Sequence, residues 1–203
     1  MKKYLQIALM IFCISAVFTS CKDDDNNDDA LVEAYKLENE QAFQAKANDP
    51  DYIQVKITGS GDGFVYAKKL KSGDGPAIYF NSRVTVYYRG WLANSTPADY
   101  FDKREYEDGA PSKFAVSSYS ANYSSYSNPN GYSAPITGWT IALQNMVVGD
   151  KWEVWIPYGL AYGTSDRKDN AGNVTIPAYS TLVFEIEVIE RTAEAAGTTD
   201  SQT

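Results

Sequence analysis

An antiparallel α+β domain with a single good helix is the fold class this sequence predicts, and three observations carry it. Apolar and polar residues alternate in short runs, as in Lys151–Ile156, where Trp152, Val154 and Ile156 alternate with Glu153 and Trp155, and again from Leu182 to Ile189. That period of two is the signature of half-buried strands. Between Ile136 and Val148 the apolar spacing changes to a helical one through Trp139, Leu143 and Met146, which predicts a helix of about two turns with one apolar face. Gly-rich turn words, GSGDG, SGDGP and VGD, separate these runs. At least five strands and one helix in this order make an α+β domain.

At the start of the chain, Lys2 and Lys3 precede an apolar run from Leu5 to Phe18 and small residues before Cys21. The run is too short to span a bilayer comfortably and has the flanks of a secretory signal. A Cys directly after Phe18-Thr19-Ser20 resembles a bacterial lipobox. Residues 1–20 are then a lipoprotein signal peptide and Cys21 the lipidated first residue; the alternative is a cleaved signal with an ordinary Cys at the junction. With Cys13 in the removed segment, Cys21 has no intramolecular disulfide partner.

Residues 21–30 are an acidic tether, KDDDNNDD after the Cys, which like charges extend. Acidic residues in that place also resemble the surface-export signal of some Gram-negative lipoproteins. The expected location is the bacterial cell envelope, lipid-anchored to the outer membrane on its periplasmic or outer side. No Gly turn or closing Glu at EF-hand spacing follows, so calcium is not expected. The formal charge of −8 becomes −10 once Lys2 and Lys3 are removed, which argues against a nucleic-acid partner.

From Ala30 to Ala47 the chain is rich in helix formers, and Asn48-Asp49-Pro50 stops it. Leu31, Tyr35, Ala42 and Phe43 give only a partial apolar stripe, so residues 31–50 read as a helical spacer that packs weakly or links the domain to the membrane. The domain is expected over residues 51–191. Ile53, Val55 and Ile57 begin its first strand, Phe64 to Leu70 its second, and Arg83 to Leu92 its third, with Val84, Val86 and Tyr88 on one face. The residues from Thr192 to Thr203 are small and polar, an expected disordered tail.

Five words in fixed order suggest more than a fold class. Tyr87-Tyr88-Arg89-Gly90-Trp91-Leu92, Phe101-Asp102, Gly138-Trp139 followed by Leu143, Met146 and Gly149, Ile156-Pro157 before Leu160-Ala161-Tyr162-Gly163, and Ile176-Pro177 before Leu182-Val183-Phe184 resemble the FKBP-type peptidyl-prolyl cis/trans isomerases over Phe64 to Glu190. The resemblance implies a curved antiparallel sheet wrapped around one short helix. It implies a pocket of Tyr88, Phe101, Asp102, Ile136, Trp139, Tyr162, Ile176 and Phe184, with Trp139 as the floor against the prolyl ring. Tyr162 would donate its hydroxyl to the carbonyl preceding that ring, and Asp102, held by Tyr88, would be the polar group near the twisting bond.

Such chemistry needs no nucleophile, metal or cofactor. The chain has no His, so a Ser-His-Asp triad, a Cys-His pair and a His-based metal site are all excluded. The partners implied are Xaa-Pro segments of client proteins, the membrane through the N-terminal lipid, and the macrolide inhibitors that the family binds. Taken alone, aromatics at strand spacing would be core packing, and Trp91, Trp152 and Trp155 are read so here.

Two departures bear on function. Where the family has an aromatic-x-Phe pair, Ser112-Lys113-Phe114 stands, so one pocket wall is expected to lack its aromatic. Residues 117–133 hold seven Ser, four Tyr and three Asn, either a polar loop or a recognition surface of the kind that Tyr and Ser build. Tyr119, Tyr123, Tyr126 and Tyr132 could thus engage a protein or glycan partner, making the chain a non-catalytic binding module on the same scaffold. The loop after Tyr162 is charged through Asp166, Arg167, Lys168 and Asp169, with too few oxygens at a known spacing to hold a hard cation.

Overall fold

The computed structural model of the protein describes residues 25–57, 63–116 and 131–192. The signal segment, Cys21, Tyr119, Tyr123, Tyr126 and the residues beyond Thr192 lie outside these. Two compact units divide the chain, Met1–Ala34 and Tyr35–Thr203. Of the first, the described residues are the opening turns of helix α1, Asp25–Ala45, which begins inside the acidic run read as a tether. Among the described residues no helix is long and apolar enough to cross a membrane.

In the second unit α1 ends where the sequence stops it. A 3-10 turn, Lys46–Asn48, follows, and Asp49 is extended (φ −90°, ψ 114°), as the residue before a proline must be. Far from packing weakly, this part of the helix is docked. Phe43 is buried with its ring 4.9 Å from that of Tyr66. Asn39, only 1% exposed, accepts a hydrogen bond from the Thr181 amide (2.7 Å) and donates to the Tyr35 carbonyl (2.9 Å), while the Thr181 hydroxyl donates to the Asn39 carbonyl (3.0 Å). A partial apolar stripe understates such docking, because its specificity is polar. Asn39→Ala strands the buried Thr181 N–H and is expected to cost about 1–3 kcal/mol. Asn39→Asp keeps the acceptor but turns a buried carboxylate oxygen against the Tyr35 carbonyl, so it should not recover the loss, as read from urea unfolding midpoints.

Among the described residues nine strands follow: β1 Ile53–Val55, β2 Val65–Lys71, β3 Arg83–Leu92, β4 Asp102–Arg104, β5 Ser112–Ala115, β6 Lys151–Ile156, β7 Arg167–Lys168, β8 Val174–Ile176 and β9 Leu182–Thr192. The sheet runs β1-β2-β6-β9-β3-β4, with β5 also on β3, and every pairing is antiparallel. β4 pairs with Tyr88 to Gly90 and β5 with Arg83 to Val86, so the two are halves of one interrupted edge strand. The interruption is a 3-10 turn, Tyr106–Asp108, capped reciprocally by Glu105 and Asp108. Outside it Arg89 and Lys103 both pair with Glu105 (2.5 and 2.9 Å). The Glu105 carboxyl lies below its ordinary range, first through Arg89 and then through Lys103.

Helix α2, Thr137–Leu143, lies on the core face of the sheet. The predicted single apolar face is exceeded: every residue from Gly138 to Leu143 is buried, the state expected of a helix enclosed by a sheet. Thr140 solves its polarity by donating its hydroxyl to the Val116 carbonyl (2.7 Å). Around the helix pack Trp152, Val154 and Ile156 of β6, Leu182, Phe184, Ile186 and Val188 of β9, and Val84 and Val86 of β3. On the opposite face Tyr66, Trp155, Val183 and Trp91 are successive cross-strand partners, and Lys46 lies over the Trp155 ring at 4.1 Å.

Candidate active site

Trp139 enters the first turn of α2 because Ile136, extended at the N-cap, accepts its amide hydrogen bond (3.0 Å). Gly138 lets that turn close on β6: a Cβ there would stand 2.8 and 2.9 Å from Ile156 Cδ1 and Cγ1, with Cγ2 closer still. The indole, 3% exposed, is then ringed by aromatics from three strands. Its centroid lies 5.2 Å from Tyr88 of β3 and 5.2 Å from Phe184 of β9, both edge-on, and 5.0 Å from Phe114 of β5. Phe101 meets Phe184 edge-on at 5.5 Å. Edge-to-face pairs at these distances are the favourable arrangement of ring quadrupoles.

Beside these rings lies one polar contact. The Tyr88 hydroxyl donates to Asp102 Oδ2 at 2.8 Å, and burial, then that carboxylate, pushes the phenol above its ordinary range. Asp102 and Tyr88 are brought together because Gly90 pairs with Asp102 and Tyr88 with Arg104 across β3 and β4. Tyr162, 36% exposed, follows the 3-10 turn Tyr158–Leu160, and the Tyr179 amide donates to the Gly163 carbonyl (3.0 Å) to close its loop. Burial raises the Tyr162 phenol; Arg167 opposes that and Asp102 adds to it. Ile176 on β8 is buried, and Ile136 packs partly buried against the same core.

Of the eight residues singled out from the sequence, Tyr88, Phe101, Asp102, Trp139 and Phe184 are thus joined by direct ring or hydrogen-bond contacts. Ile136 and Ile176 belong to the same packed cluster, and Tyr162 lies outside those contacts, beside Arg167. Phe114, quoted from the sequence only as the Phe of the aromatic-x-Phe pair, was not counted among the site residues. The wall expected to lack an aromatic does lack one at Ser112, yet Phe114, two residues on along β5, stacks on both Trp139 and Tyr88. Its period-two relation to Ser112 was the available signal.

Tyr132, grouped from the sequence with an exposed recognition loop, is 8% exposed, with the Arg83 guanidinium over its ring at 5.1 Å. Two hydrogen bonds pin Ser133 to β5, from the Ala115 amide to its carbonyl and from its amide to the Lys113 carbonyl. This end of the loop is therefore packed, and Tyr132 is unavailable as a presented contact. Trp152 is core at 2% exposed, and Trp91 and Trp155 lie on the other face of the sheet.

Comparison with known proteins places this arrangement. Residues 75–189 match the family model described as FKBP-type peptidyl-prolyl cis-trans isomerase. The chain is 29% identical over 181 residues to the macrophage infectivity potentiator of Trypanosoma cruzi, covering 89% of this chain and 77% of that one. It is 35% identical over 158 residues to the FKBP-type 22 kDa peptidyl-prolyl cis-trans isomerase of Escherichia coli, covering 74% of this chain and 63% of that relative, just under two thirds of its length. A crystal structure of a peptidyl-prolyl cis-trans isomerase from Pseudomonas syringae aligns with a TM-score of 0.59 at 29% identity, over 80% of this chain and 96% of that one.

Proposed function

The chain belongs to the FKBP-type peptidyl-prolyl cis-trans isomerase family, and we propose that it turns the Xaa-Pro bonds of exported or envelope proteins in the aromatic cup around Trp139. The observation that carries this reading is the Tyr88–Asp102 hydrogen bond at the lip of a cup otherwise walled by rings. Rotation about an Xaa-Pro bond is slow because it must break amide resonance, and uncatalysed exchange takes tens to hundreds of seconds. Inside the cup the planar amide, the more polar form, loses its hydration, whereas the twisted amide has less charge separation and loses less. A hundredfold acceleration requires about 2.7 kcal/mol, within the roughly 1–3 kcal/mol that desolvating an amide costs in proteins.

Trp139 supports the prolyl ring, Tyr162 donates its hydroxyl to the carbonyl before it, and Asp102, oriented by Tyr88, is the polar group beside the twisting bond. The reading is tested by exchange NMR of an Xaa-Pro peptide with the purified protein and with a Trp139→Ala, Asp102→Val double variant. Acceleration by the first and none by the second is expected. No acceleration from folded protein across several Xaa residues would overturn it.

Both hydroxyls of the site are held protonated, and the chain has no His. Peptide kcat/KM should therefore stay level from about pH 7 to about pH 9.5, short of the ordinary phenol range. Stability should follow the same sign. Tyr88 is raised in the fold above its unfolded value, so its contribution is full below about pH 10 and is lost as the pH rises further. A pH series of chemical unfolding checks this.

The same cup takes the family's macrolide inhibitors, a reading that competition in the exchange assay tests. Cys21 is the lipidated first residue and anchors the domain to the outer membrane. This reading is supported by the apolar run and small residues before Cys21. Cys21→Ala should abolish labelling by radioactive palmitate and move the protein to the soluble fraction; label retained by the variant would sink it.

A further inference from the structure

The hairpin of β7 and β8 holds four charges in a row, and its geometry treats them unequally. Asp166 accepts the Ala178 amide at 2.8 Å. Asp169 accepts the Ala171 and Asn173 amides at 2.8 and 2.9 Å and the Asn173 side-chain amide at 3.0 Å. Both acids are turned back into the loop. Arg167 and Lys168 are exposed, and among the described residues neither makes an ion pair. In a protein of formal charge −8, the edge of the cup beside Tyr162 thus carries free cations.

Arg167 is the one that reaches the site. Its register partner is Ile176 of the cup, and its guanidinium lies 4.8 Å from the centre of the Tyr162 ring. Held over the ring and in no ion pair among the described residues, the guanidinium keeps N–H groups for an oxygen ligand. We propose that Arg167 is a specificity-determining residue that favours Xaa-Pro segments whose Xaa, the residue immediately before the proline, is acidic. The assignment rests on the isomerase reading, in which Tyr162 holds the carbonyl of Xaa. The side chain of Xaa then leaves the backbone next to the Tyr162 ring, where Arg167 lies. Asp102, at the same site, opposes an acidic Xaa, because the hydrogen bond from the neutral Tyr88 phenol leaves the carboxylate its charge. The expected gain is therefore that of an exposed ion pair, about twofold to fivefold.

The experiment measures kcat/KM by exchange NMR with the full chain for Ala-Xaa-Pro-Phe peptides in which Xaa is Glu, Gln, Leu or Lys. For the natural sequence the Glu-to-Gln ratio is expected to be about 2–5 at low salt and to approach one near 1 M salt, where charges are screened beyond about 3 Å. Arg167→Gln brings the ratio to one or below, Arg167→Lys keeps part of it, and Arg167→Glu favours the Lys peptide. Because each ratio is taken within one protein, a general loss of activity cancels. Turnover of the peptides with the same Glu-to-Gln ratio in the natural sequence and in Arg167→Gln overturns the assignment and leaves the isomerase reading intact. Failure to accelerate any peptide, Leu included, overturns the isomerase reading and this assignment with it.

Discussion

Trp139→Ala lowers the unfolding free energy by about 3–5 kcal/mol, the range for removing a buried aromatic from a packed core. The upper part of the range is expected. Three rings, from Tyr88, Phe114 and Phe184, converge on the indole at 5.0 to 5.2 Å, each from a different strand. With β3 paired to β5 and β9 their backbones cannot follow the lost side chain, so relaxation is partial and much of the cavity stays open. Against a typical total of about 5–15 kcal/mol, much of the protein's margin is lost. Urea unfolding gives the stability, and exchange NMR on the folded fraction gives the activity. Trp139→Phe separates the two effects, because it retains a ring while shortening the floor: stability should recover most of the loss, and turnover should recover only in part. A Trp139→Ala variant with less than about 1 kcal/mol of destabilisation would mean that the indole fills no such space.

How much of this was legible in the sequence depends on how far apart the interacting residues lie. The strand Arg83–Leu92, the strand Lys151–Ile156 and the helix around Trp139 were readable because each carries its own periodicity, and neighbours in sequence share a face. The interrupted edge strand was not. β4 and β5 are three and four residues long, too short to alternate visibly, and although Gly109 at positive φ and Pro111 mark a turn between them, the reciprocal cap of Glu105 and Asp108 that shapes it leaves no periodic signal of a single interrupted strand. Phe114 was left out of the site residues for that reason, since its face is defined by pairing with Val84. The docking of α1 is less legible still: Asn39 and Thr181 are 142 positions apart, and no local pattern announces a helix side chain that satisfies the backbone just before β9. Tyr132 shows the converse error. Composition suggested an exposed loop, but cross-strand bonds at Ser133 fold its last residues onto β5.

Gly90 is the position where a propensity argument and the packing give opposite signs. A glycine inside a strand is unfavourable by roughly 0.5–1 kcal/mol relative to alanine through backbone entropy, so Gly90→Ala looks like a stabilising change. A Cβ at Gly90 would stand 2.7 Å from Phe184 Cδ1, closer still to Cε1, and 2.9 Å from Phe101 Cζ. The atoms it meets are the sides of two flat rings that pack edge-on against each other, one of them also against Trp139. Rings cannot shorten by changing rotamer as a long side chain can. Phe184 is buried and Phe101 is packed on the same core. Overpacking of this kind costs about 1–3 kcal/mol, which exceeds the entropic gain. Gly90→Ala is expected to be net destabilising by up to about 2 kcal/mol, measured by urea unfolding. If these rings line the proposed prolyl site, their displacement should also lower kcat/KM by more than the loss of stability alone explains. A variant at least as stable as the natural protein, with unchanged turnover, would mean that Phe101 and Phe184 are free to rearrange and that the wall they form is not fixed by the flush backbone of β3.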